Sequence, residues 1–202
     1  MNYKLINRLL GTTMLMLAGL LCGGAALAYE EPQYKVVTTY ENFELRQYEP
    51  YNVAEIIASG DFDEIGGKAF RKLFRFISED ERPQGKISMT VPVIQQPLPE
   101  NEGQKNYRFA FVMPAEYSLE DLPTPEDALV QVKNVPARRM AARRYSGTWS
   151  QERYRKNEAI LLASVEKSGL TTVGKSIFAR YNAPFSLWFL RRNEVLIEVI
   201  PQ

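Results

Sequence analysis

The chain has no histidine anywhere in its 202 residues and a single cysteine, Cys22. A Ser-His-Asp triad and a Cys-His nucleophile therefore cannot be assembled. Zinc sites built on cysteine or histidine are excluded in the same way. Neither sign of charge dominates: 25 Lys and Arg stand against 24 Asp and Glu, for a net charge of +1. With no basic block, nucleic acid is not expected as a partner. A long hydrophobic run is missing too, except at the very start.

That start has the layout of a secretory signal peptide. Lys4 and Arg8 form a basic segment, Leu9 to Leu21 is apolar, and Ala26-Leu27-Ala28 precedes Tyr29 as a small-residue cleavage site. A retained anchor is the alternative, because Leu9 to Ala28 can just cross a bilayer core of ~30 Å. Lipid modification at Cys22 is disfavoured by the bulky Leu21 before it. Cleavage predicts a periplasmic or secreted protein with no membrane attachment. Residues 1–28 contain two basic residues and no acidic one, so the remaining chain, 29–202, carries −1. It also has no cysteine left to form a disulfide. Its length suits one domain with a substantial core, expected as a monomer.

Tyr34 to Tyr40 is β-branched and aromatic, Glu41-Asn42 interrupts it, and Phe43 to Tyr48 alternates, which predicts a hairpin. Tyr51 to Ala58 continues as a strand, stopped by Ser59-Gly60 ahead of Asp61, a helix N-cap candidate. Phe62 to Ile77 has a strong helical period. At 100° per residue, Ala69, Leu73, Gly66 and Ile77 fall within about 60° of Phe62. Phe70 and Phe74 extend the apolar arc to about 120°, beside Arg71, while Lys68, Lys72 and Arg75 share the opposite side. Such a margin either widens the core face or presents aromatic rings, with nearby arginines, to a flat apolar ligand.

Downstream, Ile87 to Ile94, Asn106 to Met113, Ala128 to Val135, Arg138 to Tyr145, Ser176 to Tyr181 and Glu194 to Ile200 read as strands. Tyr107, Phe109 and Phe111 share one strand face. Ser150 to Ser168 reads as a second helix, with Tyr154, Leu161 and Val165 on one side. Ser59-Gly60-Asp61-Phe62 recurs as Ser146-Gly147-Thr148-Trp149, and the order of elements recurs with it. The expected fold is α+β: pseudo-duplicated β-β-α-β-β units forming a distorted eight-stranded antiparallel β-barrel flanked by two α-helices, with the Tyr34 strand added in front.

Four motifs carry a resemblance. Lys86-Ile87-Ser88-Met89-Thr90-Val91-Pro92-Val93, Tyr48-Glu49-Pro50-Tyr51, Tyr145-Ser146-Gly147 and Phe189-Leu190-Arg191-Arg192-Asn193-Glu194-Val195 together resemble the SOUL haem-binding family. The resemblance runs from about Tyr34 to Val199. It implies a barrel similar to the effector-binding domains of the gyrase-inhibitor-like superfamily, and reversible binding of haem or protoporphyrin without enzymatic chemistry. In that family the ring lies in a shallow apolar groove beside the first helix and the loop before the last strand. Matching positions are Phe70, Phe74, Arg71 and Arg75 on the helix, and Phe185, Leu187 and Trp188 in the loop.

The chain departs from the family pattern in lacking a histidine ligand and a lysine in the loop Phe185 to Phe189. Binding is then expected to rest on stacking and apolar burial, at ~25 cal/mol per Å², with no protein-bound metal. Met89 and Met113 are conceivable iron ligands, but methionine in such strands is more often core. Two other functions stay open. One is a small-molecule hydrolase of the same superfamily with Glu55 as base. The other is a binding module for a different planar ligand or a protein. The motifs themselves also suit structural roles, with Glu194 paired to an arginine.

Overall fold

The structure, a computed structural model, describes residues 29–82, 85–100 and 103–200; the signal-peptide reading of 1–28 lies outside the described residues. The elements in chain order are β1 (Tyr34–Thr39), β2 (Glu44–Tyr48), β3 (Tyr51–Ser59), α1 (Phe62–Ser78), β4 (Val93–Pro97), β5 (Asn106–Val112) and β6 (Gln131–Val135), then β7 (Arg138–Tyr145), α2 (Gln151–Lys167), β8 (Thr171–Arg180) and β9 (Asn193–Ile200). The nine strands make one sheet, in the order β1-β2-β7-β9-β8-β4-β5-β3-β6. Every pairing is antiparallel.

The sheet curls into a half-barrel of nine strands, the Tyr34 strand at one end included, where a closed barrel was expected. Its end strands β1 and β6 are hydrogen-bonded to one neighbour each. The composition of those ends explains the opening. Five of the six residues of β1 are exposed, and β6 turns Gln131, Lys133 and Asn134 to solvent. Lys35 on β1 and Lys133 on β6 place charge on both edges, which disfavours edge-to-edge pairing even though Val36 and Val37 of β1 are half exposed.

Alternation along the strands divides the core in two. Tyr107, Phe109 and Phe111 of β5, with Val195, Ile197 and Val199 of β9, join Leu73 and Phe76 of α1 and Leu161 and Val165 of α2 in the larger cluster. The intervening Ala110, Val112 and Leu196 join Ile94, Ile177 and Ala179 in the other, inside the curl. Both helices thus cover one face of the sheet, α1 over β3 and β5 and α2 over β7, β8 and β9. Asp61 occupies the N-cap of α1 in an extended conformation, but its side chain makes no capping bond. Ser150 does cap α2, its Oγ accepting from the Arg153 N–H.

One sequence expectation needs correcting. Of the strand expected over Ile87 to Ile94, residues 87–92 are irregular, and the ladder begins only at Val93. Pro92 has no N–H, so it cannot complete a ladder. It follows a cis peptide bond. The polar groups before it bond outside any ladder instead: Ile87 N–H to the Ile77 carbonyl, Val91 N–H to the Glu30 carbonyl, and Thr90 Oγ1 to the Val112 carbonyl. The join between the two parts of the sheet is correspondingly short. β4 and β8 pair through Val93 with Arg180, Ile94 with Ala179, and Gln95 with Phe178.

Candidate functional site

An apolar cavity of about 300 Å³ opens over that join. Phe70 and Phe74 of α1 form one wall, and Met89, Val91 and Val93 form the floor. Trp149, Arg180, Asn182 and Phe185 close the other side, with Tyr29 at the edge. The alternation noticed at Met89, Val91 and Val93 therefore has a physical consequence even without strand structure, since all three face the cavity. Met113, in contrast, is core.

The margin of α1 lies where its period puts it. Phe70 is half-buried and packs edge-on to Phe111 at 5.2 Å, and Phe74 stacks on Phe70 at 5.8 Å while remaining 47% exposed. Ala69, Leu73 and Phe76 take the core-facing positions. Arg71 and Arg75 are exposed and are not part of the cavity lining. Of the three loop residues, Phe185 lines the cavity, 90% exposed, whereas Leu187 and Trp188 do not. These two continue an exposed apolar patch through Phe189 and Leu190, partly in a single 3₁₀ turn at Trp188–Leu190.

The Arg191-Arg192-Asn193-Glu194 motif builds the walls. Arg191 donates to the Ser186 and Pro184 carbonyls at 3.0 and 2.6 Å, folding the aromatic loop over itself, and its guanidinium lies 4.5 Å from the Trp149 ring centre. Asn193, fully buried, accepts from Trp149 Nε1 at 2.9 Å and donates to the Gly147 carbonyl at 3.1 Å. Gly147 holds φ at +129°, and an added Cβ would come within 2.7 Å of the Arg153 side chain. Glycine is thus required in the Ser-Gly-x-aromatic turn.

Glu194 anchors the motif. Fully buried, it accepts two bonds from Arg46, one from Tyr181 Oη and one from Arg192 Nε. Burial pushes its carboxyl up, but these hydrogen bonds and charges outweigh it and hold the group below the usual 4.5. The expected pairing of Glu194 with an arginine is present twice over. Glu55 on β3, the candidate base, is ion-paired with Lys133 at 2.6 Å and Arg108 at 3.4 Å and does not line this cavity.

Sequence reasoning missed Trp149 and Arg180. The repeated Ser-Gly-x-aromatic turn pointed at Trp149 without saying what its ring would face. Arg180 gave no signal: it enters the wall only through its pairing with Val93 across the sheet. Among the described residues, no group of three or more metal-ligating acidic, histidine or cysteine side chains occurs.

The chain belongs to the SOUL heme-binding protein family, whose model matches residues 29–198. In fold it is similar to a hydrolase from Listeria innocua, at 15% identity and a TM-score of 0.58, over 81% of this chain and 94% of that one. It is also similar to the C-terminal domain of EcmrR, at 12% identity and a TM-score of 0.58, over 84% and 99%. These likenesses concern the fold alone. No curated protein matches the sequence.

Proposed function

We propose that this chain binds haem or a related tetrapyrrole reversibly and without chemistry of its own, in a trafficking, buffering or scavenging role. The observation that carries the reading is the cavity beside α1, walled by Phe70, Phe74, Trp149 and Phe185 and floored by Met89, Val91 and Val93. At about 300 Å³ it is at the small end of ligand pockets. It takes one edge of a flat ring and leaves the other against the exposed aromatic loop.

The residues fit such a ring. Aromatic side chains supply stacking surfaces, and the apolar floor excludes water. Iron in haem would supply redox and axial-ligation chemistry; the chain offers no histidine to it, and Met89 is the one sulfur in the lining. Affinity is therefore assigned to ring burial, and metal-free protoporphyrin should bind about as well.

Export to the cell envelope by cleavage after Ala28 belongs to the same proposal, as does a monomeric state. So does the duplication. Matching β2 to β6, β3 to β7, β4 to β8 and β5 to β9 maps the sheet order onto itself, which supports two β-β-α-β-β units that have exchanged their first strands. The cavity then lies between the units.

Titration of haemin and of protoporphyrin into protein starting at Tyr29 tests the function, followed by Soret absorbance or tryptophan quenching. One-to-one saturation is expected, weakened roughly 10-fold or more by Phe70→Ala with Phe74→Ala, because each truncation removes buried ring contact. Arg71→Ala with Arg75→Ala should change affinity less, since both side chains lie outside the lining. Absence of saturable binding for both rings would overturn the tetrapyrrole reading.

A further inference from the structure

We propose that Arg180 is the anion anchor of the cavity, so that its ligand carries a carboxylate on the edge that enters first. This rests on the cavity being the ligand site. It goes beyond that reading by fixing the ligand's chemistry and its orientation.

Arg180 ends β8, and its guanidinium is held on several sides. It lies 4.7 Å from the Phe178 ring centre and 5.3 Å from that of Trp149. One terminal nitrogen sits against Gly66 of α1, where an added Cβ would be in van der Waals contact at 3.5 Å. The other donates to Gln95 Oε1 at 2.5 Å, and Gln95, 1% exposed, is itself fixed by donating to the Phe62 carbonyl at 3.1 Å. This is a rigid mount for a positive charge in an otherwise apolar wall.

What the mount lacks is a counter-ion. Arg46 and Arg192 share Glu194, and Arg108 has Glu55, but no carboxylate among the described residues lies within 4.0 Å of Arg180. Its Nε is buried without a hydrogen-bond partner. Burial draws its pKa down to about 10, against a weak opposing influence from Asp63 and Tyr145, whereas the carboxylates beside Arg46 and Arg192 push theirs up. An uncompensated charge in a low-dielectric wall is costly. A ligand carboxylate reaching it gains a charge-assisted hydrogen bond in a place shielded from water.

Among the described residues no acidic side chain lines the cavity to compete. Arg71 and Arg75, outside the lining, are not placed to do the same. A propionate on a tetrapyrrole satisfies the requirement by entering first, and so does the head of any apolar carboxylic acid.

The test compares each ligand with its ester. Protoporphyrin IX and its dimethyl ester, and cis-parinaric acid and its methyl ester, are titrated into wild type, Arg180→Met and the Arg71→Ala/Arg75→Ala double variant. Circular dichroism and a thermal melt check folding. Wild type is expected to prefer each acid over its ester by roughly 10- to 100-fold. Arg180→Met should erase that preference by weakening the acid alone, and the double variant should keep it. Equal affinity of acid and ester in wild type overturns the anchor without needing any variant, and leaves tetrapyrrole binding standing. An Arg180-dependent preference seen only with parinaric acid upholds the anchor and removes the tetrapyrrole. A preference that survives Arg180→Met, or no binding of any probe, overturns the inference.

Discussion

Glu194→Gln isolates the buried charge cluster behind the cavity. The carboxylate accepts from Arg46 at 2.7 and 3.1 Å, from Tyr181 at 2.9 Å and from Arg192 at 3.0 Å. A carboxamide keeps one acceptor oxygen and turns an NH₂ group toward neighbours that are themselves donors. Breaking a buried pair from one side typically costs 3–5 kcal/mol. Here Arg46 keeps Glu44 at 2.8 Å and Arg192 keeps Glu31 at 2.7 Å, which points to the lower end, about 3 kcal/mol. For a domain of this size that is a fall of about 6–12 °C in Tm.

The pH dependence gives a second, independent reading. Because the folded carboxyl sits below 4.5, the unfolded chain takes up the proton first as pH falls. The stabilisation is thus complete above about 4.5 and is lost as pH drops through the lower folded value. Urea unfolding followed by circular dichroism between pH 7 and pH 3 should show wild type losing stability more steeply than Glu194→Gln in that acid window. The difference is at most one proton, ~1.4 kcal/mol per pH unit. Arg46→Met combined with Glu194→Met should recover part of the loss, since no orphan charge remains between those two positions. A cost below about 1 kcal/mol at pH 7, or parallel curves below pH 4.5, would refute the reasoning.

Two further perturbations separate packing from binding. Leu73→Ala, at a fully buried position on α1, should cost 2–5 kcal/mol by urea unfolding, whereas its neighbour Phe74→Ala, nearly half exposed, should stay within about 0.5 kcal/mol while lowering protoporphyrin affinity. Gly147→Ala forces a side chain onto a φ of +129° and against Arg153, so it should cost ~1–3 kcal/mol. It should also loosen the neighbouring Trp149, seen as altered near-ultraviolet circular dichroism.

Periodicity made most of the fold legible. The helix reading over Phe62 to Ile77 and the shared face of Tyr107, Phe109 and Phe111 depend on local spacing, and local spacing is visible in one dimension. The aromatic margin of α1 followed from the same arithmetic. Residues 87–92 misled because β-branched composition signals extended chain, not hydrogen-bonded partners, and the N–H groups of Ile87 and Val91 bond elsewhere. Arg71 and Arg75 were placed by helical proximity to Phe70 and Phe74, yet one more step of the wheel carries them out of the lining. Arg180 was invisible for the opposite reason. Its neighbours come from other elements: the pairing of β4 with β8 brings Gln95, the pairing of β8 with β9 brings Trp149 through Asn193, and α1 brings Gly66.

That pairing has only three rungs, and the cavity sits directly on it. Phe70, Phe74, Met89, Val91 and Val93 belong to the chain before it, and Trp149, Arg180, Asn182 and Phe185 to the chain after it. A molecule wedged there rivets the two halves along this three-rung line, in addition to the core clusters and the β2–β7 and β3–β6 pairings that already join them. Occupancy and cohesion then become one quantity: ligand at 100 times its Kd should add ~2.7 kcal/mol to unfolding. The empty protein should breathe along that line, and its amides at Val93 to Gln95 should report loading by slowed hydrogen exchange.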